Sequence, residues 1–275
     1  MRKLVGMHYS PWSQKARWAL DHHGVAYEWV EHTPVLGEAL LRVRARRWTG
    51  RVSAPMLLED GGAVIADSWE IARHAEAIGH GAPLFPAEHL EEIARWNERS
   101  QAAAEAGRVL VTANIAADAG ALRAALPGFV PGALRGVMAP VARLGVALLR
   151  RKYGAAADTR AAAEEKLVAA LEPVRDALAG GRRYLCGDAF SYADVTMAVA
   201  LQPVLPVAER FVPLAPATRR AWTNEALAQR FADLLAWRDA VYEGHRRPAD
   251  EAAGASAAAA PPPPPAAPST APGSA

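Results

Sequence analysis

The strand and helix signals of this chain change character once, near residue 80, and that switch restricts the fold more than any other feature. Before it, short apolar runs alternate with amphipathic helical stretches. After it, every periodic segment up to about Gly244 is helical, and no strand pattern returns. A chain of 275 residues with this order calls for an α/β unit followed by an all-α unit.

In the first part, Leu4 to Met7 reads as a buried strand and Ser13 to His23 as a helix stopped at Gly24. Tyr27 to Val30 alternates as a second strand, and Leu36 to Arg47 is expected to be a helix with a basic outer face. Met56-Leu57-Leu58 and Ala63-Val64-Ile65 flank Glu59-Asp60-Gly61-Gly62, a hairpin signature, and Ser68 to Ile78 closes the unit as a helix. Gly79 to Pro86 is a linker by composition. Long helices are predicted over Glu88–Asn114, Ala161–Ala179, Ser191–Val204 and Leu227–Tyr242, with a break at Pro127–Pro131. The domain boundaries expected are 1–80, a linker over 81–88, a helical domain over 89–247 and a tail over 248–275. The tail, rich in Ala and Pro, offers no large apolar side chain to bury and should be disordered with polyproline II character.

Charge excludes one class of partner. Lys and Arg total 31 against 29 Asp and Glu, a net +2, with the arginines scattered along the chain. No electrostatic claim on nucleic acid follows. The single cysteine, Cys186, forbids an internal disulfide, and with no signal-peptide pattern after Met1-Arg2-Lys3 a cytoplasmic location is expected. Gly132 to Leu149 is apolar but interrupted by Arg135, Pro140 and Arg143; each central arginine would cost roughly 2.5–3.5 kcal/mol in a bilayer. Leu134, Val137, Met138, Val141, Leu144 and Leu148 share one helical face, and Arg135, Arg143 and Arg150 the other. A buried-face helix is expected there, with a membrane-surface helix as the alternative and membrane association as the less favoured outcome.

Three short motifs carry chemistry. Ser10-Pro11-Trp12-Ser13 follows a strand and opens a helix, where a redox protein would place Cys-x-x-Cys. Without sulfur it cannot exchange disulfides, but a serine hydroxyl there can donate to the thiolate of a bound thiol. Ala54-Pro55-Met56 enters a strand; a cis bond there would leave the backbone of Ala54 for an extended peptide ligand. Asp67-Ser68 opens a helix; the pair serves as a cap, or its N–H groups, hydroxyl and carboxylate take an amino acid zwitterion. Phe190-Ser191-Tyr192-Ala193-Asp194-Val195 reads as a capping box with a hydrophobic staple, a structural element.

Together with Gly187-Asp188-Ala189 before that box, these motifs resemble those of a soluble glutathione S-transferase, a serine-type, bacterial-like member, over roughly residues 3–245. The resemblance implies a thioredoxin-like N-terminal domain holding glutathione and an all-α helical bundle lining a site for a small hydrophobic electrophile. It further implies a homodimer, a role in detoxification, and a conjugating enzyme. By this resemblance Ser10 activates the glutathione sulfur, with Trp12 and Ser13 beside it; Ala54, next to a cis Pro55, pairs with the cysteinyl unit, and Asp67 and Ser68 hold the γ-glutamyl end. The chain departs from the family pattern before the proline: Arg51 is a candidate for the glycine carboxylate and Arg47 a rival. Tyr9 is the rival hydroxyl to Ser10. A module that binds glutathione or a protein partner with little turnover remains the alternative function, a metal site has no ligand spacing to support it, and Cys186 is read as a small buried filler.

Overall fold

The computed structural model describes residues 1–34, 37–50, 52–126, 130–152 and 159–248. The tail from Ala249, the break around Pro127 and Arg51 therefore lie outside the described residues. The first unit runs β1 (Lys3–Gly6), α1 (Pro11–His22), β2 (Glu28–Glu31), α2 (Glu38–Ala45), β3 (Met56–Leu58), β4 (Val64–Ala66) and α3 (Ser68–Ile78). Its four strands pair in the order β2-β1-β3-β4, with β1 and β2 parallel and the other pairs antiparallel. This is the thioredoxin-like arrangement that the element order implies.

Among its described residues the second unit contains helices and connecting loops but no strand. It comprises α4 (Leu90–Ala117), α5 (Ala119–Ala124), α6 (Ala139–Lys152), α7 (Arg160–Ala177), α8 (Tyr192–Ala200), α9 (Pro216–Trp222), α10 (Glu225–Arg230) and α11 (Ala232–His245). The segment expected as one helix from Leu227 is two. Asn224 Oδ1 caps α10 by accepting from the Leu227 N–H, and the backbone turns at Phe231, whose ring is fully buried. Periodicity continues across such a break because α10 and α11 present their apolar sides to the same core.

The linker is short but pinned. Glu76 Oε2 accepts from the N–H groups of Leu84 and Phe85 at 2.6 and 3.0 Å, and the Leu84 carbonyl accepts from Tyr192 N–H at 2.8 Å. Every residue of α8 is buried. Its N-terminus is organised by Asp194, whose carboxylate accepts from Leu185 N–H (2.8 Å), Ser191 N–H (2.9 Å) and Ser191 Oγ–H (3.1 Å). One step further, the Tyr192 hydroxyl donates to the Ser68 carbonyl at 3.1 Å, so the box that starts α8 also clamps α3 of the first unit.

The segment 132–149 reverses the expected burial except at Met138, which is partly buried against the inner cluster as expected. Ala142 and Val146 of α6 face inward, with Leu122, Leu126 and Val130 in the same buried cluster. The larger side chains Leu134, Val137, Val141, Leu144 and Leu148 are exposed, Val137 at 77% and Leu144 at 61%. The helix has two apolar faces, and a 3.6-residue period identifies faces without ranking them.

α1 is enclosed on most sides, with Pro11 and every residue from Ser13 to Leu20 buried. That enclosure captures Lys15, 1% exposed, whose ammonium donates to Asn97 Oδ1 and Ser100 Oγ of α4, each at 3.2 Å. Burial pulls its pKa down to about 7, opposed in part by the charge of Asp67.

Two outcomes follow from this packing. Asp194→Ala strands three buried donors, so urea unfolding should show a loss of about 3 kcal/mol or more; a loss under about 1 kcal/mol would contradict the clamp. For Lys15, unfolding takes up a proton between pH 7 and the ordinary lysine range, so stability should rise with pH above 7. The slope should approach about 1.4 kcal/mol per pH unit at most. Lys15→Met should flatten that rise, and a flat wild-type profile from pH 7 to about 9.5, below the tyrosine range, would show that the ammonium is not desolvated.

Candidate functional site

Sheet register brings the three motifs to one edge. Val5 of β1 pairs with Met56 of β3, and Met56 with Ala66 of β4, so the end of β1, the start of β3 and the end of β4 lie in one row. The chain leaves that row into the Ser10 turn and into Asp67-Ser68, and enters it through Ala54-Pro55. The N-termini of α1 and α3 both start there, and two helix N-termini at one edge favour negative charge beside them.

Ser10 is the N-cap of α1 in extended conformation, its N–H donating to the Met7 carbonyl at 3.0 Å. Its hydroxyl makes no capping bond and pairs with no other described group, although only 5% of the residue is exposed. Ser13 is placed differently. Its Oγ accepts from Met7 N–H at 3.1 Å and lies beneath the turn, 1% exposed. Ser13 thus holds the strand-to-helix turn in shape, and a Cβ at Gly6 would meet it at 2.8 Å.

Trp12 points across to the helical domain. Its indole N–H donates to Gln101 of α4, and the Arg108 guanidinium lies over its ring at 4.2 Å. Tyr9 reaches the same side, its ring edge-on to Trp222 of α9 at 6.0 Å. Gln101, Arg108 and Trp222 belong to this wall and have no signature in the sequence, since nothing local marks a residue that meets another domain.

Ala54-Pro55 is cis, and Ala54 stands two residues before the first ladder residue of β3, Met56. Its backbone N–H and C=O pair with no described group. Asp67 adopts φ 80°, ψ 140°, a positive φ that side chains other than glycine enter at a cost of about 1–3 kcal/mol. In that conformation its Oδ1 caps α3 by accepting from Trp69 N–H at 2.8 Å. Ser68 beside it is fully buried, and its Oγ has no hydrogen-bond partner. The capping reading of the pair is seen at Asp67, while the Ser68 hydroxyl has no hydrogen-bond partner among the described residues.

The basic candidates separate. Arg51 lies outside the described residues, whereas Arg47 is described and exposed, just beyond α2. Lys15 is the ionisable group that sequence reasoning missed: its ammonium lies behind the turn and feels the charge of Asp67. Its position two residues after Ser13 in a helix enclosed by two layers was the available signal. Cys186, the one thiol, is buried and pushed up to about 12 by that burial, so it stays protonated. Among the described residues no group of three or more His, Cys, Asp or Glu could hold a metal ion.

Comparison with known proteins agrees with this geometry. A sequence model of the glutathione S-transferase N-terminal domain matches residues 4–83, and one of the C-terminal domain matches residues 157–240. No curated protein matches the sequence. Among solved structures, a glutathione S-transferase of Methylobacterium radiotolerans in complex with glutathione sulfonate superposes with a TM-score of 0.57 at 17% identity, covering 93% of each chain. One from Methylobacillus flagellatus with glutathione bound gives 0.54 at 16% identity, over 88% of this chain and 94% of that one. A third, from Ceriporiopsis subvermispora in complex with glutathione, gives 0.54 at 18% identity, over 86% and 97%. At these identities the structures establish the fold, and the two domain models establish the family. The chain is a member of the glutathione S-transferase family, a family of transferase enzymes that use glutathione.

Proposed function

We propose that this protein conjugates glutathione to a small hydrophobic electrophile, with the Ser10 hydroxyl stabilising the glutathione thiolate. One observation carries the reading: the Ser10 hydroxyl, the Ala54 backbone and the Ser68 hydroxyl stand without partners at one edge of the sheet, beside two helix N-termini. These are the donors and acceptors that a γ-glutamyl tripeptide needs. Ser68 and the start of α3 would take the γ-glutamyl carboxylate, Asp67 its ammonium, Ala54 the cysteinyl backbone, and Arg51 or Arg47 the glycine carboxylate. Glutathione supplies the nucleophilic sulfur when bound.

Magnitudes support a hydroxyl without a general base. A thiol with a pKa of about 8.5 is a few per cent thiolate at pH 7, and lowering its pKa by roughly two units takes about 2.7 kcal/mol. A hydrogen bond to a charged acceptor contributes about 1.5–3 kcal/mol and a helix N-terminus about 0.3–1 kcal/mol. Burial of Ser10 strengthens its bond by removing competing water. Tyr9, Trp12 and Trp222 then form an aromatic wall against which an electrophile would rest. Family membership supports extending the reading to a homodimer with a detoxifying role in the cytoplasm.

The alternative, a glutathione-binding or interaction module with little turnover, is favoured by the small exposure of Ser10, 5%. Kinetics separate the two. With an aryl halide, Ser10→Ala should lower kcat/KM about tenfold to 100-fold, the range of a charged hydrogen bond. Tyr9→Phe should retain activity within a few-fold, and Ser13→Ala should act through stability. Unchanged activity in Ser10→Ala would remove Ser10 from its role, and wild type retained on immobilised glutathione without turnover would support the module.

A further inference from the structure

The outward face of α6 is the largest feature that the glutathione site leaves unused. Val141, Leu144 and Leu148 recur at spacings of three and four residues, which places them in one stripe of α6, and Val137 lies in the turn just before the helix. Leu134 lies further back, in the short 3-10 turn Gly132–Leu134, and all five side chains are exposed. Exposed Arg143 and Arg151 belong to the same helix. From Ala119 to Ala157 the sequence carries Arg123, Arg135, Arg143, Arg150, Arg151 and Lys152 and no aspartate or glutamate. Since the whole chain is only +2, the remainder is net acidic. This stretch also lies between the two matched domain ranges, 4–83 and 157–240, so neither family domain accounts for it.

We propose that this face docks on an anionic lipid surface, with the apolar stripe in the interface and the arginines at the headgroups. An acid-free cationic segment beside exposed Val and Leu has the composition of an in-plane interfacial helix. At 14 residues α6 is too short to span, and no described helix is long and apolar enough to cross a membrane. A second copy seated on this face would set the same cationic segment against itself. The Ala/Pro tail after Ala249 has no large apolar side chain to fill the stripe.

Sedimentation of the full-length protein with phosphatidylcholine vesicles, with and without phosphatidylglycerol, tests the proposal. Binding to the anionic vesicles should exceed that to neutral ones by about tenfold or more and weaken as salt rises. Val141→Glu with Leu144→Glu should abolish sedimentation, and Arg143→Glu with Arg151→Glu should reduce it to the neutral-vesicle level. Both variants should keep wild-type helical circular dichroism and glutathione conjugation. The proposal is overturned if wild type does not sediment with anionic vesicles, or if the two variants sediment as wild type does. It is equally overturned if Val141→Glu with Leu144→Glu dissociates an oligomer in lipid-free buffer, which would assign the stripe to a second copy.

Discussion

The enclosure of α1 sets the rest of the molecule. A helix that follows the first strand must start at the edge of the sheet, and its body is then packed against α3 and α8, with Lys15 reaching Asn97 and Ser100 of α4. Because Pro11 and Ser13 to Leu20 have almost no access to solvent, the start of the helix cannot move without displacing both domains. Fixed placement of the Ser10 hydroxyl follows from this packing, and so does the Trp12 contact to Gln101. The same enclosure captures Lys15 and leaves it with two neutral acceptors. Asp194 and Tyr192 complete the arrangement from the other domain, since the box that starts α8 also holds the carbonyl of Ser68.

Rigidity of this kind suits activation of a borrowed thiol. The thiolate needs no proton acceptor, only a donor whose position does not depend on the ligand. Orientation fixed in advance is where such sites gain most of their electrostatic effect. Ser13 contributes through geometry, since its hydroxyl is committed to the Met7 N–H and shapes the turn from which Ser10 projects. Asp67 acts in a similar way at α3. Its positive φ directs the carboxylate back onto the helix start, while the buried Ser68 hydroxyl beside it has no partner among the described residues.

Much of this was legible in the sequence because it is local. The strand-turn-helix of Ser10-Pro11-Trp12-Ser13, the proline before β3 and the cap at Asp67 are each written within a few residues, and the order of elements places them in one sheet. What escaped depends on distant pairing. Lys15 looks like an ordinary helix residue until α4 covers it, and Trp222 has no relation to Tyr9 until α9 packs beside the turn. The helix expected over 132–149 begins only at Ala139, and apart from Met138 its expected buried face is exposed. Its inward face is made of Ala142 and Val146, and the larger side chains drew the expectation to the wrong side. Phe231 divides a continuous apolar period into two helices through backbone geometry that periodicity does not register.

The central claim is that the Ser10 hydroxyl supplies most of the lowering of the glutathione thiol pKa, with the start of α1 adding the smaller share. Titration of the thiolate absorbance of bound glutathione in wild type and in Ser10→Ala measures this directly. The account predicts a bound thiol titrating roughly two units below the free value of about 8.5 in wild type, with at least about one unit of that shift lost in Ser10→Ala. Identical titration in the two proteins would contradict it and move the source of activation to Tyr9 or to the start of α1 itself.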